Sequence, residues 1–265
     1  MFHNIKLGTL EYAVADTLEG TAHCFTTRYG GVSEGYLSSL NLGVHRGDVY
    51  ENVVKNYEIL GSAVGFRPEQ TVFTRQRHTD IVRLVDESHC GEGLYRETED
   101  ICDGQITDRP GVALVTFAAD CTPILLFDPV RKAIGAVHAG WRGTAQGIAA
   151  KAVEAMVREF GCDPANIRAA IGPNVGFCHF ETDADVPNAM LEAFGEEVKP
   201  FIRASGEKYF VDLKEINALI LRRAGVRHIE ISCECTMCSP HRFWSHRITQ
   251  GKRGAQGAII LRKED

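Results

Sequence analysis

The sequence predicts an α+β fold with mixed sheets, and three observations carry that expectation. Short β-type runs, most of them bounded by Gly, Pro or Asp, recur along the chain. Helical patterns with apolar residues at spacings of three and four interrupt them. The strand runs fall into hairpin-like pairs rather than a regular strand–helix–strand alternation. In order, the strand runs are 22–27, 72–74, 81–85, 104–106, 112–117, 124–127, 134–138, 167–171, 226–232 and 258–261. The helical stretches are 53–65, 143–160, 186–194 and 212–224. The last is the clearest: Asp212 is placed to cap, and Glu215 follows three residues on as in a capping box. Leu213, Ile216, Leu219 and Ile220 make one stripe, and Gly225 stops the helix.

The chain has 265 residues, of which 44% are hydrophobic, enough to fill a sizeable core. With no repeat, low-complexity segment or Pro/Ser-rich linker, a single domain over 1–265 is expected. The net charge is −6, and its 29 basic residues are spread without a run of five, which argues against nucleic acid or an anionic membrane as partner. The opening MFHNIKLGTLEYAVAD has no apolar core of a signal peptide, and no apolar stretch approaches bilayer length, so a cytoplasmic protein with no obligate protein partner is expected.

Nine cysteines at 24, 90, 102, 121, 162, 178, 233, 235 and 238 lack the dense spacing of a disulfide scaffold and are expected to be reduced. Cys24, Cys90, Cys102 and Cys162 read as small buried hydrophobes. Cys121 differs. The runs 124–127 and 134–138 flank Asp-Pro-Val-Arg-Lys, whose Pro129 suits the second position of a turn, so they read as an antiparallel hairpin. If Asp128 faces Ala133, His138 lies opposite Pro123, and Cys121 and His138 are diagonal neighbours on one face, about 7–8 Å apart at Cα. A one-residue slip would separate them. A thiolate and an imidazole need a third ligand for a catalytic zinc site, which keeps its fourth position open. His78, in RQRHTDIV, is the candidate, although spacing alone does not choose it over the other histidines.

Directly after the hairpin, Gly140-Trp141-Arg142-Gly143-Thr144 precedes a helical pattern. Thr144 is expected to cap that helix, whose N-terminus together with Arg142 would attract a phosphate; the competing reading pairs Arg142 with a carboxylate. CECTMCSPH, 233–241, looks like a second zinc knuckle, but CxCxxC plus one histidine matches the usual spacings poorly, and buried cysteines at a strand end are the simpler expectation.

With these residues in view, ADCTPILLFDP and AVHAGWRGT resemble the signature of the bacterial YfiH/YlmD family, whose domain also occurs in the mammalian laccase-domain protein FAMIN. TTRYGGVSEGYLSSLNLGVHRGD, DGQITDRPGVAL, AAIGPNVGFCHFE, YFVDLKEINALILRRAGV, CTMC and FWSHR follow in the family's order. The resemblance implies a four-layer α/β/β/α arrangement similar to the catalytic domain of cytotoxic necrotising factor. It also implies zinc ligands at His78, Cys121 and His138. The chain departs from the pattern at Thr79, where a glycine is usual and a narrower entrance is expected. It departs again in SHRITQGKRGAQGA, which puts the C-terminal part of the substrate site in question.

The resemblance carries three activities. One is phosphorolysis of adenosine, inosine and methylthioadenosine with deamination of adenosine. It suits a three-ligand zinc with Arg142 holding the phosphate, and makes His78, Cys121, His138 and Arg142 the catalytic group. In that reading Phe177 and Phe243 stack on the base, and His246 and Arg247 contact phosphate or sugar; packing and surface charge are the competing roles. The second is copper-dependent polyphenol oxidation, which needs many paired histidines; the chain has ten and no His-x-His, although a His₂Cys set can take up copper in vitro. The third is amide hydrolysis in editing peptidoglycan precursors. A purely structural metal is disfavoured by three ligands in place of four.

Overall fold

The computed structural model describes residues 1–98 and 100–263. One sheet has the strand order β1 (Phe2–Leu7), β2 (Leu10–Ala15), β3 (Thr21–Thr26), β15 (Gln256–Arg262), β7 (Ala113–Ala118), β4 (Thr71–Phe73). Its pairs are antiparallel except β7–β4. The second sheet runs β14 (His228–Ile231), β10 (Arg168–Ile171), β8 (Thr122–Asp128), β9 (Ala133–Ala139), β6 (Gly104–Thr107), β5 (Val82–Leu84), with parallel pairs at both edges. A small third sheet joins β11 (Glu181–Thr182), β13 (Lys208–Val211) and β12 (Ile202–Ser205).

Alternation along the strands explains the layering. In β8, Leu125 and Phe127 face a core shared with Phe25, Leu114, Ala136 and Ile260, between the two large sheets. Ile124 and Leu126 face the opposite way, into a core with Ile148, Met156, Met190, Ile216 and Leu221 of α3 (Ile148–Phe160), α4 (Asp185–Phe194) and α5 (Leu213–Arg223). On the far side, Cys24, Val115 and Ile259 pack under Val53, Tyr57 and Leu60 of α1 (Tyr50–Val64). The order is therefore helix, sheet, sheet, helices. A strand covered on both faces has no polar side, which is why β8 reads as an unbroken apolar run.

Every expected strand run contains a strand. Three differences have physical causes. The hairpin β1–β2 was not foreseen, since β1 is an edge strand whose residues are exposed or half-buried and show little apolar alternation. β11, β12 and β13 have two to four residues each, too few to show a period. The helical stretch 143–160 is two helices, α2 (Trp141–Ala145) and α3, broken where Gly147 adopts φ 75°. Thr144 does not cap: Gly140 holds that position, while Thr144 is buried inside α2 and its Oγ1 accepts from Asn217 Nδ2 at 3.0 Å. Asp212 does cap α5, accepting from the amides of Lys214 and Glu215. Among the described residues no helix is long and apolar enough to cross a membrane.

The topology brings the C-terminal ends of β4, β7 and β9 and the N-terminal ends of β6, β8 and β15 to one end of the sheet pair. The connections at that end carry His78, Asp103, Cys121, Gly140 and Arg253. Truncating Leu125 in the inter-sheet core to Ala should cost about 2–5 kcal/mol in urea unfolding. Val130→Ala, at the exposed hairpin tip, should change stability by less than about 0.5 kcal/mol.

Candidate metal centre

The β8–β9 hairpin has the expected register: Asp128 pairs with Ala133 and Pro123 with His138. Cys121, one residue before β8, therefore meets His138 across the hairpin's open end. The connection from β4 to β5 adds His78, whose Nε2 lies 3.6 Å from Cys121 Sγ. The donor atoms of His78, Cys121 and His138 all lie within 4.8 Å of one another, and the two imidazoles are 5.0 Å apart at an angle of 67°. Metal–sulfur and metal–nitrogen bonds of about 2.3 and 2.0–2.1 Å fit donors at these separations. His138 is buried, Cys121 half-buried and His78 exposed, so one side of the group faces outward.

The organiser is Asp103, a residue that sequence reasoning passed over. Its buried carboxylate accepts from the amides of Arg77 (3.0 Å), His78 (3.0 Å) and Thr79 (2.7 Å), from Thr79 Oγ1 (2.8 Å) and from His138 Nδ1 (2.7 Å). These bonds hold His78 at φ 61°, an unusual backbone region for a residue with a Cβ. The bond to Nδ1 fixes the His138 tautomer and leaves Nε2 as the donor for a cation. Thr79, expected to narrow the entrance, instead turns its hydroxyl onto Asp103. The only foreshadowing of Asp103 was its place in the DGQITDRPGVAL stretch.

Electrostatics reinforce the arrangement. Burial opposes ionisation of Asp103, but the hydrogen bonds from His138 and from the Thr79 and Arg77 amides outweigh it and hold the carboxyl well below its usual range. Burial pushes the Cys121 thiol up, yet His138 and His78 bring it down to about 6. Burial pushes His138 down, and the Cys121 thiolate and Asp103 raise it to about 9. Both directions favour a thiolate–imidazolium pair near neutral pH when no metal is bound.

Close packing adds a steric condition. A Cβ on Gly140 would lie 2.4 Å from His78 Cδ2 and 3.3 Å from Cys121 Sγ, so only glycine leaves room for both. Asp120, beside Cys121 at φ 81°, accepts from Thr236 Oγ1 (2.6 Å), Ser245 Oγ (3.0 Å) and the Arg247 amide (2.7 Å). It ties the C-terminal segment to the centre.

The other expected residues are placed unequally. Arg142 is exposed with its guanidinium 4.1 Å over the Trp141 ring, and among the described residues it has no carboxylate partner. Phe177 is half-buried, with Arg203 5.1 Å over its ring. Phe243 is 2% exposed, so its ring belongs to the interior and offers no open face. His246 is exposed; partial burial and then Arg253 lower its pKa, and it also feels Asp120, Arg46 and His78. Arg247 hydrogen-bonds the Glu181 carbonyl and lies 5.4 Å over Phe180.

Two cations were missed. Arg253 is lowered to about 10 by burial and by Arg46, and it feels Asp120 and Cys121. Neither Arg46 nor Arg253 has a carboxylate within ion-pair distance among the described residues. A recess of about 360 Å³, lined by Trp141, Phe180, Glu181, Lys208 and Arg247 among others, lies beside this end. None of the three metal donors lines it, so it flanks the centre and does not contain it. Of CECTMCSPH, only Cys235 among the cysteines is buried, while Cys233, Cys238 and His241 are exposed.

Residues 22–263 match the family described as "Multi-copper polyphenol oxidoreductase laccase". The chain is 37% identical over 256 residues to "Purine nucleoside phosphorylase YlmD" of Geobacillus stearothermophilus, covering 95% of this chain and 93% of that one. It is 32% identical to "Purine nucleoside phosphorylase YfiH" of Escherichia coli, covering 86% of this chain and 89% of that one. The crystal structure of Bacillus licheniformis "hypothetical protein YfiH" superposes with a TM-score of 0.92 at 34% identity, covering 97% of this chain and 98% of the other.

Two outcomes test this geometry. Asp103→Asn should weaken metal binding about 10–100-fold, read by competition with a chromogenic chelator; Gly140→Ala, which displaces His78, should also weaken it. In protein stripped of metal, the lowered Cys121 pKa means that its thiolate persists above about pH 6 and is lost below it. Carbamidomethylation of Cys121, followed by peptide mass spectrometry, should stay fast down to that pH. In His138→Asn the rate should fall already below about pH 8.5, where an ordinary thiol protonates.

Proposed function

The chain belongs to the laccase-domain family whose description reads "Multi-copper polyphenol oxidoreductase laccase", and we propose that it is a metal-dependent purine nucleoside phosphorylase. In this reading zinc is the metal, adenosine, inosine and methylthioadenosine are the nucleosides, and adenosine is also deaminated. The observation that carries it is the convergence of a His–Cys–His donor group with arginines that, among the described residues, lack carboxylate partners. A neutral organic substrate alone would not need such cations; an inorganic phosphate co-substrate does. The relatives named as purine nucleoside phosphorylases supply the substrate class.

Each residue then has a task. His78, Cys121 and His138 hold the metal, and Asp103 sets the His138 tautomer and the His78 backbone. A thiolate and two neutral imidazoles suit zinc, which when bound supplies Lewis acidity and, for deamination, makes water a nucleophile at neutral pH. Arg253, Arg46 and Arg142 bind and orient phosphate, with His246 beside them. Phosphorolysis transfers ribosyl C1′ from the purine nitrogen to a phosphate oxygen, so the arginines hold the attacking group in place. Arg247, anchored through Asp120, and Phe177 border the nucleoside. The chain works in the cytoplasm, where nucleosides and phosphate meet.

The family's description favours a second reading, polyphenol oxidation. A multicopper laccase couples a blue-copper site to a trinuclear cluster that is rich in histidine. Among the described residues, His, Cys and acidic donors gather in two places that together contain three histidines. That is too few for such a cluster.

Incubated with adenosine and phosphate, the zinc-loaded protein should release adenine, ribose 1-phosphate and inosine. Cys121→Ala should leave less than about 1% of each rate. Arg253→Ala should raise the phosphate KM about tenfold or more. Phenol oxidation that scales with bound copper, with no nucleoside turnover, would favour the oxidase reading.

A further inference from the structure

Away from the His78–Cys121–His138 group, a second set of soft donors converges on the loop after β10. Cys178 and His179 come from GFCHFE, and Cys235 and Cys238 from a C-x-x-C turn after β14. Asn174 and Cys235 are bridged through their backbones, which sets the two segments side by side. Cys178 Sγ lies 3.5 Å from Cys238 Sγ. His179 Nδ1 lies 3.1 Å from Cys178 Sγ, 3.6 Å from Cys235 Sγ and 3.4 Å from Cys238 Sγ. All four donors lie within 4.8 Å of one another.

We propose that Cys178, His179, Cys235 and Cys238 form a closed Cys₃His site for a structural zinc ion, distinct from the catalytic centre. Metal–sulfur bonds of about 2.3 Å and a metal–nitrogen bond of about 2.1 Å make a tetrahedron with edges of about 3.8 Å between sulfurs and about 3.6 Å from sulfur to nitrogen. The donors already stand close to those separations. Three thiolates and one imidazole suit zinc and not the hard cations. Four protein ligands leave no position for substrate, whereas the catalytic group has three.

The surroundings are those of a thiolate centre. The Gly176 amide donates to Cys235 Sγ at 3.2 Å, and the amides of Met237 and Cys238 face the same sulfur. A Cβ on Gly176 would lie 3.1 Å from Cys235 Cβ and 3.4 Å from the sulfurs of Cys178 and Cys235, so the backbone is drawn tightly over the cluster. Cys233 and His241, which the sequence placed in a knuckle here, lie outside it. Their places are taken by two residues 57 and 59 positions upstream of Cys235 and Cys238 respectively.

The site acts as a clasp. The turn that carries Cys235 and Cys238 also carries Thr236, whose hydroxyl holds Asp120 beside Cys121. Asp120 in turn holds Ser245 and Arg247. A metal at the clasp fixes one wall of the catalytic end through this chain of bonds while touching no substrate.

Metal analysis of the whole chain, purified in reductant with zinc in the medium, tests the proposal. The expected content is about two zinc ions per chain, falling to about one in C235S/C238S and to about one in H78A/C121S. X-ray absorption of zinc in H78A/C121S keeps the test independent of whether the cluster variant folds. It should show three sulfurs at about 2.3 Å and one nitrogen at about 2.0–2.1 Å. Chelating that zinc should lower Tm. A folded H78A/C121S protein without zinc, zinc there bound only by nitrogen and oxygen, or a two-dalton mass loss mapped to a Cys178–Cys238 disulfide in the reductant-purified chain would each overturn it.

Discussion

The Asp103 carboxylate is the constraint on which the candidate metal centre depends. One buried anion accepts five hydrogen bonds, four from the β4–β5 connection and one from His138 on β9. A buried charge is tolerated only when its lone pairs are satisfied, so the group is held as a unit: removing any donor leaves charge uncompensated. The same oxygens hold His78 in left-handed backbone and set which nitrogen His138 presents. Two candidate ligands from distant stretches are thus positioned by a third residue outside the donor set.

The double-sheet architecture makes this convergence possible. Because β8 and β9 are covered on both faces, their register is locked by apolar side chains whose alternation serves two cores at once. That locked register places Cys121 opposite the end of β9 with little freedom. Gly140 then completes the geometry by lacking a side chain where two ligands crowd together. Precision at the site derives from rigid strands, while the chemistry sits on the short connections between them.

The C-terminal stretch brings charge to the candidate centre. Arg253 in QGKRGAQ reaches the neighbourhood of Asp120 and Cys121, and Arg46 from a far earlier loop joins it. A half-buried arginine held beside a second, exposed one is costly unless an anion offsets the charge. The C-x-x-C turn that carries Cys235 and Cys238 reaches Asp120 through the Thr236 hydroxyl, so this cluster is linked to the candidate centre by a hydrogen bond.

Local patterning by itself determined ten strand runs, the helices around 53–65, 186–194 and 212–224, and the hairpin register that pairs Pro123 with His138 and so brings Cys121 near it. Each follows from interactions between near neighbours: period two, period three and four, and a Pro-containing turn. His78 became a specific choice only through family resemblance. Edge strand β1, the break at Gly147 and the short third sheet were illegible because their residues carry weak or very short patterns. Only the tertiary structure placed Asp103 and Asp120 among their hydrogen-bond donors, set Arg46 beside Arg253, withdrew Phe243 into the interior, and joined Cys178 and His179 to the C-x-x-C turn. The reason is physical: a side chain's partner far away along the chain is chosen by how layers pack, and no periodicity within one segment encodes which connection will lie beside it.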